Sequence, residues 1–170
     1  EALICGSICG VLGAGFISVN TWLGLQRKKY IKVDWHKPLE AMLFSLMTTT
    51  TFFFAPLIKE VCKTTADLDP EYQDQVYQYN CPDGQYNPMA TLLFSSEGTV
   101  ISSIISGFEN PTGGIVVPTV QMFVFFCVWY FWTITTYGVF IPAGLFLPGI
   151  IIGCALGSIF ETGRLYIFDL

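Results

Sequence analysis

The sequence has few charged residues. Asp, Glu, Lys and Arg make up 12% of its 170 residues, whereas an average soluble domain carries about 25%. Apolar residues account for 52%, and the mean hydropathy is +0.55. A soluble chain with so little charge could not cover its surface, so the composition predicts an integral protein of the lipid bilayer. No basic stripe is present, so we expect no nucleic-acid partner.

The sequence also lacks the residue sets of common catalytic and metal sites. Its one histidine, His36, lies among basic residues without Cys, Asp or His partners at ligand spacing. A Ser/His/Asp or Cys/His set therefore cannot form, and the cysteine spacings do not resemble a zinc site. We expect no enzymatic activity, no cofactor and no metal.

Charge is absent from three long stretches of the chain. These stretches are Ala2–Gln26, Ala41–Ile58 and Asn110–Phe160. A spanning helix needs about 20 predominantly apolar residues, so the first stretch suffices for one helix and the third for two. The second stretch is short but acceptable. The pattern predicts an all-α, polytopic membrane fold with helices at 2–25, 38–59, 88–94, 97–106, 118–136 and 147–159.

Small residues recur every four positions along the first predicted helix, at Gly6, Gly10, Ala14 and Ser18. This spacing places them on one face, where a second helix can approach closely. The face predicts either a tight contact inside a helix bundle or an interface between subunits.

The two connectors that flank the second predicted helix carry opposite charge. Five of the chain's eight basic residues lie between residues 27 and 37, whereas residues 64–84 are acidic and contain no Lys or Arg. Cys62 and Cys81 bracket this acidic loop, and they predict a disulfide if the loop faces an oxidising compartment. The alternative is two unrelated thiols. We expect the four other cysteines, which lie in apolar helices, to be packed thiols.

The segment "GVFIPAGLFLPG", Gly138 to Gly149, places three glycines and two prolines in an otherwise apolar stretch. Irregular backbone at membrane depth is tolerated only where protein buries it or where it lines a wet cavity. Gly144 permits an unusual backbone angle, and Pro148 fits the first turn of the next helix. Free N–H groups there would form an anion site at the helix N-terminus. The alternative is a tight re-entrant turn with no ligand.

Two motifs resemble the CLC chloride channel and transporter family. "GLFLP", Gly144 to Pro148, is similar to the GxFxP signature of the family. "GVFIP" at 138–142 also matches, but only the second copy is followed by "GxxxG" at the family's position. "CPDGQYNPMATLLF", Cys81 to Phe94, resembles the intracellular and plant branch. The resemblance implies that residues 1–170 are a partial CLC transmembrane domain, covering roughly helices I to N in the family's lettering.

The family resemblance implies a role for the second motif. The N–H groups of Leu145 and Phe146 would bind chloride or a similar small anion, with Gly144 and Pro148 shaping the site. Implied partners are the remainder of the CLC subunit and a second subunit in a homodimer or a larger membrane assembly. The implied location is an endosomal, lysosomal, vacuolar or other intracellular membrane.

The resemblance leaves three functions open. The chain would form part of a chloride/proton exchanger, of a passive chloride channel, or of a truncated CLC-like structural subunit. The motifs that distinguish exchange from passive conduction are not among these residues.

The charge asymmetry generates the first testable prediction. Because Lys and Arg collect in cytoplasmic loops, we expect residues 27–37 to face the cytosol and residues 60–88 the opposite side. Single cysteines placed in each loop of the full-length protein should react with an impermeant thiol reagent from opposite sides. Labelling of both loops from one side would show the topology to be wrong.

Overall fold

The computed structural model describes residues 2–110, 113–142 and 144–168, and these form seven α-helices and one short two-stranded sheet. The helices are α1 (Ala2–Tyr30), α2 (His36–Phe54), α3 (Pro70–Gln73), α4 (Pro88–Phe94), α5 (Glu97–Glu109), α6 (Thr119–Thr136) and α7 (Phe146–Phe168). The strands β1 (Lys63–Thr64) and β2 (Gln85–Tyr86) pair antiparallel. The predicted all-α class is therefore confirmed.

Three helices of the described ranges are long and apolar enough to cross a bilayer. They comprise Leu3–Tyr30, Thr119–Thr136 and Phe146–Arg164. α1 continues through the first basic residues to Tyr30, beyond the predicted end at Leu25, because Arg and Lys are good helix formers. The basic connector is consequently shortened to residues 31–35.

The sequence predicts that α2 spans the membrane, but α2 is not among these three helices. Its N-terminal end carries His36, Lys37 and Glu40, and Thr48–Thr51 reduce the hydropathy of its second half. The hydroxyls of Thr48, Thr50 and Thr51 donate to carbonyls four residues earlier, at 2.7–2.9 Å. The helix ends at Phe54, and a 3₁₀ turn that contains Pro56 follows it.

The hydrophobic core lies between α4, α5, α6 and α7. Its fully buried members include Leu92 on α4, Val100 on α5, Phe125 on α6, and Ile151 and Ala155 on α7. α4 and α5 are too short to span, as predicted, and they pack their apolar sides against the long helices α6 and α7. This packing holds α6 and α7 side by side.

α1 contacts this bundle through a face other than its small-residue stripe. Leu12 packs against the core, and the Tyr130 hydroxyl donates a hydrogen bond of 2.7 Å to the Leu12 carbonyl. The predicted packing face, which consists of Gly6, Gly10, Ala14 and Ser18, is exposed along its length. The described chain supplies no close contact there, so an interface with another subunit stays a prediction.

Two of the four cysteines that we expect to be packed thiols, Cys9 and Cys127, are exposed in the structure.

The acidic loop is a small folded unit joined to the start of α4. Cys62 and Cys81 form a disulfide with a Cα–Cα distance of 5.8 Å. Asn87 is 0% exposed, and its side-chain oxygen accepts hydrogen bonds from the N–H groups of Met89 (3.0 Å) and Ala90 (3.2 Å). Asn87 is thus the N-cap of α4 and anchors that helix to the loop.

The buried cap generates the second prediction. Asn87→Ala leaves two buried N–H groups of α4 without an acceptor, so we expect a loss of about 2 kcal/mol in the free energy of unfolding. Thermal unfolding in detergent, with the disulfide intact, would measure it. The control is Gln78→Ala, which removes an exposed amide of the same loop and should change stability by less than about 0.5 kcal/mol. Equal effects of the two substitutions would contradict the assignment of Asn87 as a structural cap.

Candidate functional site

The break between α6 and α7 covers residues 137–145, of which residue 143 lies outside the described chain. α6 ends at Thr136, and the following Gly138 has a left-handed φ of 92°. Two tight turns then follow, with Val139 N–H donating to Thr136 C=O (3.2 Å) and Ile141 N–H to Val139 C=O (2.6 Å). The chain therefore reverses direction within a few residues, because Gly138 adopts a conformation that L-residues with a Cβ disfavour.

Gly144 follows residue 143, which lies outside the described chain, so the unusual backbone angle expected at Gly144 stays a prediction. A Cβ built on Gly144 would meet nothing within 4 Å. Among the described residues of the break, Gly138 has the left-handed φ that favours glycine.

The N-terminus of α7 presents unpartnered backbone donors. Phe146 is the first helical residue, and Pro148 lies in the first turn, as predicted. Gly149 N–H donates to Leu145 C=O at 3.1 Å, which closes that turn. Within the described residues, the N–H groups of Leu145, Phe146 and Leu147 donate no hydrogen bond. The helix dipole adds roughly half a positive charge at this end.

This N-terminus lies beside the middle of the longest spanning helix. Leu145 and Gly149 line a cavity of about 210 Å³ together with Gly13 and Phe16 of α1 and Tyr130 of α6. Phe16 is halfway along the Leu3–Tyr30 span. None of the described residues that line the cavity is charged, so the donors of α7 lie next to an apolar wall beside the middle of α1. The Phe146 side chain is 79% exposed and points away from the packed core.

Two polar residues of α1, not singled out from the sequence, bind the other end of the break. The Asn20 amide donates to the carbonyls of Ile134 (3.1 Å) and Tyr137 (2.8 Å). The Arg27 guanidinium donates to Tyr137 C=O at 3.0 Å and to Thr135 C=O. These bonds satisfy carbonyls at the C-terminus of α6, where no further helical turn supplies N–H donors.

The Arg27 charge is balanced by Glu40 of α2. The Arg27 Nε lies 2.7 Å from Glu40 Oε1, and the two side chains are 13% and 14% exposed. The sequence contained a signal for this arrangement, since Asn20 and Arg27 are two helical turns apart and so share one face. The prediction treated Arg27 as part of a solvated basic connector because it ended α1 at Leu25.

The other predicted site residues lie apart from this break. The Cys62 and Cys81 disulfide belongs to the acidic loop, and Cys62 borders a different cavity, of about 550 Å³, with Lys63 and Tyr86. Burial raises the pKa of Tyr86 to about 12, with a smaller contribution from Asp67, and burial lowers the pKa of Lys63. The exposed small-residue stripe is on the first half of α1 and supplies no donor to the break.

Comparisons with known proteins agree with the predicted family. The sequence model of the voltage gated chloride channel family matches residues 2–169. H(+)/Cl(-) exchange transporter 7 of Rattus norvegicus and of Homo sapiens are each 33% identical over 162 residues, covering 95% of this chain and 19% of the relative. Chloride channel protein CLC-a of Arabidopsis thaliana is 31% identical over 136 residues, covering 75% of this chain and 16% of the relative.

Together, the long apolar helices and the break between α6 and α7 are typical of polytopic membrane proteins with interrupted helices. The chain belongs to the voltage-gated chloride channel family, and the family predicted from "GLFLP" and "CPDGQYNPMATLLF" is confirmed. The chain spans about a fifth of the length of the curated relatives it matches.

The geometry of the break generates the third prediction. Gly138→Ala places a Cβ at positive φ, 3.4 Å from the Arg27 guanidinium, and should cost about 1–2 kcal/mol in the free energy of unfolding. Gly149→Ala is the control, because a Cβ at this position inside α7 would meet nothing within 4 Å, and it should not lower the free energy of unfolding. Thermal unfolding of the full-length protein in detergent would compare the two. An equal loss at Gly149 and Gly138 would show that the positive φ of Gly138 is not the cause.

Proposed function

We propose that this chain supplies part of the anion pathway of a CLC chloride transporter, with the N-terminus of α7 as a binding site for chloride. The observation that carries the proposal is the cluster of three N–H groups at Leu145, Phe146 and Leu147, which have no acceptor among the described residues and lie beside the midpoint of α1. No cationic side chain lines the adjacent cavity, so an anion there would be held by backbone dipoles.

Backbone donors suit an ion that must also leave. A full positive charge close to chloride in an apolar surrounding would hold it strongly, because Coulomb attraction grows as the dielectric constant falls. A helix N-terminus carries roughly half a charge and replaces part of the hydration shell with N–H groups. Binding is then strong enough for entry and weak enough for release, as conduction requires.

We further propose proton-coupled exchange, in an intracellular membrane and as a homodimer, as the mode of operation. Support comes from the relatives named H(+)/Cl(-) exchange transporter 7, which align with 95% of this chain. The alternative is a passive chloride channel, and it is supported by the relatives whose printed name is "Chloride channel protein". Proton flux measured against a chloride gradient would separate the two.

The fourth prediction tests the backbone donors directly. Proline is tolerated at the first position of a helix, so Phe146→Pro removes one N–H without ending α7. Phe146→Ala is the control, because it removes the same side chain and keeps the N–H. We expect Phe146→Pro to weaken bromide binding by about tenfold relative to Phe146→Ala, since hydrogen bonds to charged groups contribute about 1.5–3 kcal/mol.

The measurement is calorimetric halide titration of the full-length protein, with anomalous scattering from bromide locating the ion in a crystal. Anion flux from liposomes would report the functional consequence. Bromide absent from the α7 N-terminus while chloride flux continues would leave residues 144–148 with only a structural role. Equal binding by Phe146→Pro and Phe146→Ala would likewise exclude the Phe146 N–H as a ligand.

A further inference from the structure

The C-terminus of α6 has its terminal carbonyls satisfied, and most of the donors come from α1. Two of these carbonyls accept from nearby backbone groups: Thr133 C=O from Tyr137 N–H, and Thr136 C=O from Val139 N–H. The carbonyls of Ile134, Thr135 and Tyr137 accept instead from Asn20 and Arg27. A buried carbonyl without a partner costs about 1–3 kcal/mol, so these two side chains favour an α6 that stops at this point.

Arg27 is the member of this pair that connects three helices. Its guanidinium donates to α6 and to Glu40 on α2, and its Cζ lies 5.3 Å from the centre of the Phe44 ring. Three oxygens, from Glu40, Thr135 and Tyr137, and one ring face therefore restrict a single planar group. Lysine could not reproduce this arrangement, because its ammonium is a point donor without the planar fork of arginine.

Arg27 also contacts the residue at which the break reverses direction. The Arg27 Nη1 lies 3.4 Å from the position that a Cβ on Gly138 would occupy. Lys37, at the start of α2, adds a second contact, with its Nζ 4.7 Å from the centre of the Phe140 ring. The basic ends of α1 and α2 therefore hold both sides of the turn that leads into α7.

We propose that Arg27 is a positioning residue for the anion site, an inference that rests on the proposed function. Its charge is engaged by Glu40 and by the carbonyls of α6, so it does not itself bind the anion. It holds the end of α6 and the Gly138 turn, and the turn sets the position from which α7 begins. Loss of the Arg27 bonds to α6 should let the turn move and misplace the N–H groups of Leu145 and Phe146.

The experiment separates this role from that of an ordinary buried ion pair. Arg27→Gln alone would leave the Glu40 carboxylate buried without its partner, and such a variant can fail to fold. The test variant is therefore Arg27→Gln combined with Glu40→Gln, in which no unpaired charge remains. Glu40→Gln alone keeps the bonds from Arg27 to two carbonyls at the end of α6, and its amide oxygen remains an acceptor for the Arg27 Nε. The Arg27 guanidinium therefore keeps its hydrogen-bond partners in this variant, whereas the Glu40 carboxylate would lose its donor in Arg27→Gln. Lys28→Gln removes an exposed positive charge one residue away and is the matched control.

Two readouts are made on the full-length protein: calorimetric bromide binding and hydrogen–deuterium exchange of the peptide that covers residues 137–147. In the double variant we expect bromide affinity to fall by about tenfold, by analogy with the loss of a charge-assisted hydrogen bond, and exchange of the peptide to accelerate. Glu40→Gln and Lys28→Gln should stay within about twofold of the unmodified protein in both readouts. Arg27→Lys should give an intermediate affinity.

The possible failures are distinguishable. Absence of bromide binding in the unmodified protein would overturn the proposed function, and this inference with it. Binding by the unmodified protein that is unchanged in the folded double variant would overturn the inference alone. An equal loss in Glu40→Gln and the double variant would also overturn it, because the ion pair rather than the bonds from Arg27 to α6 would then be responsible.

Discussion

The structure depends on one constraint, which is that a helix interrupted at membrane depth needs partners for its terminal backbone groups. The two ends of the break meet this constraint in opposite ways. The carbonyls at the end of α6 are satisfied by Asn20, Arg27 and the turn itself. The N–H groups at the start of α7 find no partner among the described residues. An anion would complete the second end as side chains complete the first.

This asymmetry accounts for Asn20 and Arg27 on the packed face of α1. A helix of 29 residues extends about 43 Å at 1.5 Å per residue, which lets one element reach both the cavity beside Leu145 and the end of α6. Its Leu12 and Phe16 pack where the surroundings are apolar. Asn20 and Arg27 follow on the same face, where α6 exposes carbonyls.

The remaining elements pack against the helices that flank the break. α4 and α5 bury Leu92 and Val100 against α6 and α7. The acidic loop fastens the start of α4 through Asn87, and its disulfide restricts the loop in turn. The donors of the candidate site are backbone N–H groups. Their position is therefore set by helix packing and helix capping elsewhere in the chain.

The sequence by itself determined the helix types and most of their positions, since uncharged runs and helix breakers act locally. α4 has its predicted bounds, because Asn87 and Pro88 begin it. The "GLFLP" and "CPDGQYNPMATLLF" motifs were sufficient for the family. Only the tertiary structure decided that Gly138 takes a left-handed turn, that the small-residue stripe of α1 is open, and that Arg27 is buried against Glu40. Each of these depends on which elements meet in space, and residues more than 100 positions apart, such as Arg27 and Tyr137, leave no local pattern that reveals their contact.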